Sequence, residues 1–327
     1  MTLNLDNNRS KVQQLADGIT AAISSGEFKA NDTLPSINKL SAEYKLSRDT
    51  AYKAYQKLKN RGIIGSTPTK GYYVANTINN IFVLLDVFSA YKDDFYRELI
   101  SNLPFNYRID LYFHQYNEKL FNSLILDSLG RYDLYLVSNL TNDLYCDILD
   151  RLDNSKVLLV DFGKFNKEKF SYVCQGFDQT LYDCLTSGVE QIRAYNELVF
   201  IYPENSEHPK SCIPYFEKFC TDNKIESKML RSKFSKQNIE AGKAYIVVRH
   251  SDVIEFVKIC REKKLKLGKD VGLITFNDTP MLEIIENGIS VVSTDFKQMG
   301  KLSAEYVKTR EKIQTYVPTK LIIRGSL

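Results

Sequence analysis

The organisation of this chain is decided by residues 34–64, which read LPSINKLSAEYKLSRDTAYKAYQKLKNRGII. Apolar residues recur here every three or four positions in two short segments, and this spacing predicts two helices joined by a tight turn at Leu46. Ser36 and Ser47 each precede one segment, and a serine hydroxyl at that position accepts hydrogen bonds from the free N–H groups of the first helical turn. The pattern therefore predicts helices that begin just after Ser36 and just after Ser47.

The second of these helices has two chemically different sides. Its apolar side, at spacings of three and four residues, consists of Ala51, Ala54, Tyr55 and Leu58. These side chains share one face of a helix and are expected to enter a core. The opposite side carries Arg48, Asp49, Tyr52, Lys53 and Gln56. Because this side faces solvent, its residues are free to reach into a groove of another molecule.

The flanking sequence completes a small domain. Residues 11–24 have helical apolar spacing and are followed by Gly26, which predicts a first helix. After Gly62, Ile63 and Ile64 are typical of a strand, residues 66–71 of a polar turn, and residues 72–74 of the returning strand of a hairpin. Three helices followed by a hairpin form a winged helix-turn-helix, and we expect it to span residues 1–75.

This order of motifs resembles the DNA-binding domain of the GntR family over residues 10–75. The matching motifs are L-P-S-x-x-x-L-S, S-R-x-T at the start of a helix, L-x-x-x-G-I-I, and K-G-Y-Y-V. The resemblance implies that DNA is contacted by Asn38, Ser47, Arg48, Thr50, Tyr52, Lys70 and Gly71. Asn38 and Tyr52 depart from the pattern, since the family commonly has arginine at both positions, and this puts the usual operator sequence in doubt.

The chemistry of these residues suits contact with a duplex. Arg48 can donate two hydrogen bonds to guanine O6 and N7, which contributes about 1–3 kcal/mol of discrimination. Asn38 can bond a phosphate or an adenine, and Lys70 supplies attraction to phosphate that does not depend on sequence. Tyr52 has two open interpretations, contact with DNA or packing on the helix surface.

The distribution of charge separates the chain into two parts. Residues 1–76 hold eleven Lys or Arg and six Asp or Glu, whereas the rest holds 33 and 34. A basic small domain predicts a polyanionic partner for that domain alone. No apolar run approaches the roughly 20 residues of a membrane span. Single scattered cysteines and no signal-peptide core predict a cytoplasmic protein, and three separated histidines predict neither a metal site nor a cofactor.

The sequence after the small domain predicts a larger α/β body. Residues 76–80 are a short polar linker, and strand-like runs then alternate with amphipathic helices from Ile81, including a helix at 143–152. Two series of similar size predict a body at 81–327 with two lobes built on parallel sheets, as in periplasmic binding proteins. We expect lobe 1 at about 81–176 and 296–317, and lobe 2 at about 177–295 and 318–327.

Polar and aromatic residues follow the predicted strands, where open α/β sheets bind their ligands. They are Asp86, the loop 88–95 with Phe95, His114, Ser138, Asn139, Asp161, Phe162, Phe177, Asp178, Tyr202, Arg249, Asn277, Asp278, Thr294 and Asp295. Aromatic rings and planar hydrogen-bonding groups predict a cleft for a sugar. The alternatives are a structural histidine at position 114, helix caps at Asp86, Asp161 and Asp178, and an Arg249 that pairs with a carboxylate.

The end of the chain resembles the effector domain of LacI-type regulators. The motifs are DVGLITFNDT at 270–279, VSTDFKQMG at 292–300 and LIIRGS at 321–326. The resemblance implies that Asn277, Asp278, Thr294 and Arg249 lie in or beside an effector pocket. Arg249 departs from the usual Asn or Asp, and an arginine often present in the helix at 209–222 is missing, so the effector is an unusual sugar or another ligand that an arginine holds.

Together these features predict a regulator that is not an enzyme. We expect a homodimeric repressor of carbohydrate-utilisation genes that binds double-stranded operator DNA and is released by a small effector, a monosaccharide. Two alternatives stay open: a sugar-modifying enzyme fused to a DNA-binding domain, and a DNA-binding protein whose body serves only assembly. The sequence contains no P-loop, GxGxxG, GxSxG or HExxH motif, which disfavours the enzyme.

Overall fold

The computed structural model contains a small N-terminal domain and a larger α/β body. It describes residues 10–75, 79–104, 106–141, 143–161, 163–232 and 234–327. Residues 76–78 of the predicted linker and the predicted strand-end residue Phe162 lie outside these ranges. Within them, no helix combines the length and the apolar character that crossing a membrane requires.

The N-terminal domain has three helices and an antiparallel hairpin. Its elements are α1 (Lys11–Ser24), α2 (Ile37–Glu43), α3 (Arg48–Asn60), β1 (Ile64–Thr67) and β2 (Gly71–Val74). The Lys39 N–H donates to the Ser36 hydroxyl at 3.2 Å, and the Thr50 N–H donates to the Ser47 hydroxyl at 3.0 Å. Both predicted N-caps are therefore confirmed.

The apolar side of α3 is buried as its spacing predicted. Ala51, Ala54, Tyr55 and Leu58 are all fully buried. The Tyr55 ring lies 4.3 Å from the ring of Tyr72, and its hydroxyl donates to the Pro35 carbonyl. Because burial of a side chain such as Leu58 contributes about 1.5–3 kcal/mol, this face determines which side of α3 remains exposed.

The first half of the body alternates strands and helices. Its elements are β3 (Asn79–Leu85), α4 (Ala90–Ser101), β4 (Tyr107–Phe113), α5 (Glu118–Ser128), β5 (Leu134–Val137), β6 (Val157–Asp161) and β7 (Ser171–Cys174). The helix expected at 143–152 is instead a 3-10 helix at Asp147–Arg151. The Asn139 side chain donates to the carbonyls of Thr141 and Leu144. These bonds hold the chain that precedes the 3-10 helix in a loop.

The second half continues the alternation and then returns to the first sheet. Its elements are α6 (Gln179–Ser187), α7 (Val189–Ile192), β8 (Glu197–Ile201), α8 (Cys212–Asn223), β9 (Ser227–Leu230), β10 (Lys243–Val247), α9 (His250–Lys263), β11 (Val271–Phe276), α10 (Pro280–Ile284), β12 (Ser290–Thr294), α11 (Phe296–Thr309), β13 (Gln314–Tyr316) and β14 (Thr319–Ile322). Two further 3-10 helices are Asn154–Lys156 and Lys236–Asn238.

The strands form two six-stranded sheets, one in each lobe. In lobe 1 the order is β13-β7-β6-β5-β3-β4, with parallel pairing. In lobe 2 the order is β14-β12-β11-β10-β8-β9, and β14 at its edge runs antiparallel to β12. The chain passes between the sheets after β7, β12 and β13, so the carboxyl ends of both sets of strands meet at one cleft.

The start of the first sheet departs from the predicted linker. β3 begins at Asn79 rather than Ile81, because the Asn79 N–H donates to the Asn106 carbonyl at 2.8 Å and the Asn80 N–H donates to the Asp133 carboxylate at 2.8 Å. Residues 79–80, predicted as linker, thus belong to the sheet. The polar composition of these two residues predicts a linker, whereas their backbone hydrogen bonds place them in the sheet.

Candidate functional site

The exposed side of α3 presents the predicted DNA-contacting residues to solvent. Arg48 and Tyr52 lie one turn apart near its N-terminus and are both exposed. Within the described ranges the Arg48 guanidinium has no ion-pair partner, whereas Lys53 pairs with Asp49 at 2.7 Å. Thr50 is half-buried, and its hydroxyl lies 2.7 Å from that of Ser47. Arg48 is therefore the cation on this side that is available to a ligand.

The other predicted contacts lie on α2 and on the hairpin. Asn38 is exposed in the first turn of α2, and Lys70 and Gly71 are exposed where the hairpin turns into β2. Gly71 has φ +72, in the left-handed region that favours glycine, so the turn itself requires this residue. The Lys70 ammonium lies 4.9 Å from the centre of the Tyr73 ring. Of the seven predicted residues, six are exposed and Thr50 is half-buried.

A cavity of about 850 Å³ separates the two lobes of the body. Lobe 1 contributes mainly the turn after β3 and the start of α4, and lobe 2 contributes the loops after β8, β10 and β11. The aromatic residues that line it are Phe88, Tyr91, Tyr116, Phe177 and Phe276. The polar residues include Gln175, Asn205, Arg249, His250, Asn277 and Thr279. Aromatic rings and hydrogen-bonding groups, among them the charged Arg249, thus line the same cavity.

A buried ion cluster forms the floor of the cavity. The Lys92 ammonium pairs with the Asp86 carboxylate and lies 2.9 Å from the Asp161 carboxylate, and all three side chains are almost fully buried. The Tyr116 hydroxyl and the Gln175 amide donate to Asp86 and Asp161 respectively. Burial lowers the pKa of Lys92, and the Asp161 charge opposes this shift. The cluster joins the ends of β3 and β6 to α4.

Two neighbouring polar residues, Arg249 and His250, stand on the lobe 2 side of the cavity. The Arg249 Nε donates to the Asp252 carboxylate at 2.7 Å; in the described part of the chain its two terminal nitrogens have no partner. His250 lies next to it and donates from Nε2 to the Phe276 carbonyl at 2.8 Å. The His250 ring also meets the Tyr91 ring of lobe 1 at 5.9 Å, so this contact crosses the cleft. The two terminal nitrogens of Arg249 can therefore donate hydrogen bonds to a ligand in the cavity.

A histidine that sequence reasoning did not select lines the same cavity. The His208 ring packs 4.2 Å from Phe276 and 5.1 Å from Phe177. Its Nε2 is buried and has no hydrogen-bond partner among the described residues. Burial lowers the pKa of His208 to about 3, so the imidazole is neutral at physiological pH. The predicted residue Tyr202 lies behind it, because the Tyr202 hydroxyl donates to the His208 carbonyl.

The structure brings together only part of the predicted effector site in this cavity. Arg249 and Asn277 line it, and Asp278 and Thr294 line a neighbouring cavity of about 910 Å³ that shares Tyr91 with it. Asp278 accepts two hydrogen bonds from Arg324, at 2.8 and 2.6 Å.

The other four predicted effector residues line neither cavity. Phe95 is buried in the lobe 1 core because residues 90–95, expected as a loop, belong to α4. Asp178 stands before α6 and pairs with Lys164, and Tyr202 lies in the lobe 2 core. His114 is fully buried and contacts the Phe121 ring at 5.2 Å. Burial lowers the pKa of His114 to about 4, with a smaller effect from Lys92.

Some of the missed lining residues carried a usable signal. Lys92 follows the strand-end residue Asp86 by six positions, and a lysine in the first turn of the next helix can reach back to that carboxylate. Tyr116 follows the strand-end residue His114 by two positions. No comparable pattern marks His208, which is brought to the cavity by the loop between β8 and α8.

Two family models match the chain. The model of bacterial regulatory proteins of the gntR family matches residues 11–74. The model of the periplasmic binding protein-like domain matches residues 193–327. The chain joins a GntR-family helix-turn-helix domain to a periplasmic-binding-protein-like domain. The resemblance predicted for residues 10–75 and for the end of the chain is thereby confirmed.

Curated relatives are similar to the GntR-family domain. The uncharacterized HTH-type transcriptional regulator YcxD of Bacillus subtilis is 39% identical over 64 residues, and YdcR of Escherichia coli, which has the same description, is 42% identical over 65 residues. Each alignment covers 20% of this chain and 14% of the relative. Both relatives are described as regulators rather than as enzymes.

Solved structures are similar to the periplasmic-binding-protein-like body. The trehalose repressor of Escherichia coli superposes with a TM-score of 0.62 at 13% identity, covering 75% of this chain and all of that one. A LacI family regulator from Weissella paramesenteroides with bound sucrose gives 0.57 at 16% identity, covering 76% and 98%. At these identities the similarity establishes the fold, and the predicted fold class is confirmed.

Proposed function

We propose that this protein is a ligand-responsive, DNA-binding transcriptional regulator. The observation that carries the proposal is the exposed side of α3, in a domain that matches the GntR family. Arg48 stands exposed at the start of this helix and has no ion-pair partner among the described residues. A helix that presents an arginine and polar residues from its N-terminal turns is suited to the DNA major groove. Lys70 at the hairpin and Asn38 on α2 then contact the backbone or neighbouring bases.

The cleft between the lobes is the proposed effector site, and a neutral sugar is the proposed effector. Phe88, Tyr91 and Phe177 offer flat apolar faces to a sugar ring. Arg249 and Asn277 offer donors and acceptors for hydroxyl groups. The acids and the lysine of the floor neutralise one another in part, so the cavity does not call for a strongly charged ligand.

Closure of the cleft is the proposed link between sugar and DNA. We place the lobe boundaries near residue 176, between 295 and 296, and between 317 and 318, where the chain crosses from one sheet to the other. A sugar that binds the closed form more tightly shifts the lobe angle. In a homodimer this changes the spacing of the two winged helices, and a misplaced second copy loses half of its DNA contacts.

We propose that sugar binding lowers the affinity of the protein for DNA. The protein would then act in the cytoplasm as a repressor of carbohydrate-utilisation genes. Allosteric coupling in proteins typically amounts to about 5- to 150-fold in affinity, which is enough to free an operator.

The test uses a duplex selected by the full chain from a random-sequence pool. Its affinity is measured by fluorescence anisotropy with and without a panel of neutral mono- and disaccharides. We expect one sugar to weaken binding by tenfold or more, and Arg249→Ala to retain DNA affinity but lose the response. Arg48→Ala should remove about 1–3 kcal/mol of discrimination between the selected duplex and a mismatched one. Unchanged affinity, together with no calorimetric heat from any sugar, would instead support a body that serves only assembly.

A further inference from the structure

A further polar cavity lies where the GntR-family domain meets the body. It encloses about 350 Å³ between the C-terminal half of α3 and the C-terminal end of α11. Its cationic lining residues are Lys53, Lys57, Arg61 and Arg310. The remaining lining residues, Gln56, Asn60 and Thr309, are neutral and polar. No carboxylate lines this cavity in the part of the chain that the structure describes, so its wall is uniformly suited to an anion.

Arg61 is the buried member of this group. Its side chain is 8% exposed, and in the described ranges neither Nε nor Nη1 has a hydrogen-bond partner. Leaving a buried charged donor without a partner is costly, and such a group calls for an acceptor. The Tyr107 hydroxyl is also buried and has no hydrogen-bond partner in the part of the chain that the structure describes. Burial raises the pKa of Tyr107 while the charges of Arg310 and Arg61 oppose the rise, so both guanidiniums lie close to this phenol.

The two arginines carry the local excess of positive charge, which the charge of Asp133 reduces at Arg310. Lys53 pairs with Asp49 at 2.7 Å and Lys57 lies 3.6 Å from Glu311, so each lysine has a carboxylate of its own. Arg310 donates to the Asp133 carbonyl at 3.3 Å, and the Asp133 carboxylate accepts the Asn80 N–H.

Helix ends do not account for the whole excess. The C-terminus of a helix carries about half a negative charge, and two such ends, those of α3 and α11, converge here. They offset roughly one of the two guanidinium charges. Some positive charge therefore remains, next to the Arg61 Nε and Nη1 donors, which have no acceptor among the described residues.

We propose that this cavity binds one small anion of the phosphate class, held by Arg61 and Arg310. Two guanidiniums with their planar donors suit a tetrahedral oxyanion. α3 has 13 residues and is about 20 Å long, and Arg48 stands at its other end. The anion site is thus separate from the proposed base-reading end. The bound anion joins α3 to α11 and fixes how the GntR-family domain sits on the body, whether or not the cleft binds a sugar.

Calorimetry of the full chain with inorganic phosphate and pyrophosphate, at constant ionic strength set by chloride, tests the proposal. We expect one saturable site per chain. Arg61→Gln and Arg310→Gln should each weaken it by roughly 10- to 100-fold, the loss expected for a charge-assisted hydrogen bond. Lys236→Gln, which removes an exposed cation on lobe 2, should leave the affinity unchanged.

Two further measurements distinguish loss of anion binding from misfolding and from DNA binding. Circular dichroism identifies a variant that does not fold, and Arg310→Gln replaces Arg61→Gln in that case. Binding of a random-sequence duplex separates a free anion from the DNA backbone. The proposal is overturned if phosphate shows no saturable binding, if both arginine variants bind it like the parent, or if Arg61→Gln weakens duplex binding as much as Arg48→Ala while phosphate alone gives no heat.

Discussion

Replacement of Lys92 by methionine tests whether the floor of the cleft is held by a buried charge network. Lys92, Asp86 and Asp161 are 4%, 2% and 2% exposed. Methionine keeps most of the length of the side chain and removes its charge, which leaves two buried carboxylates without their counter-ion. Loss of one partner from a buried pair costs about 3–5 kcal/mol, a large part of the roughly 5–15 kcal/mol that stabilises a domain.

The assay is thermal and urea unfolding of the full chain, followed by circular dichroism. For a body of this size about 1 kcal/mol corresponds to roughly 2–4 °C, so the melting temperature of the body should fall by about 6–20 °C. The matched control is Lys236→Met, because Lys236 pairs with Glu262 at 3.0 Å on the surface. An exposed pair contributes less than about 1 kcal/mol, so this variant should melt close to the parent.

Two outcomes separate a charge effect from a packing effect. Addition of Asp161→Asn to Lys92→Met should recover part of the loss, since one uncompensated charge is removed. The deficit should also shrink as the pH falls, because unpaired buried carboxylates have a raised pKa and become neutral first in the folded state. If Lys92→Met melts no lower than Lys236→Met, the reasoning about the buried cluster is refuted.

Three further predictions concern other parts of the chain. Arg48→Ala should remove about 1–3 kcal/mol of discrimination between a selected duplex and a mismatched one, measured by anisotropy, with no change in the melting of the body. Tyr55→Phe should destabilise the GntR-family domain by about 1 kcal/mol in urea unfolding, because the Pro35 carbonyl loses its donor. Burial lowers the pKa of His114 to about 4, so its contribution to stability is complete above the unfolded pKa of about 6.5 and is lost as the pH falls toward 4. The free energy of unfolding should drop by up to about 3 kcal/mol over that interval, and less in His114→Gln; an equal slope for both proteins would contradict the assignment.

The small domain could be predicted closely because its signals are local. Ser36 and Ser47 cap the helices they precede, and the apolar spacing of residues 51–58 sets the buried face of α3. In the body, alternation of strands and helices predicted the two lobes. Phe95 was predicted to lie in a loop at the cleft, but this segment is the start of α4. Helical phase then directs Phe95 into the core, and the same phase brings Lys92 under the cavity.

The sequence by itself determined the elements, the two kinds of domain and the exposed side of α3, because caps, periodicity and turn residues act over a few positions. Only the tertiary structure decided which groups share a site. Lys92 pairs with Asp161 across 69 positions, and Arg61 and Arg310 line one cavity at the junction of two domains. Such contacts depend on where sheets and helices pack, and no local pattern encodes the distance between residues so far apart in the chain.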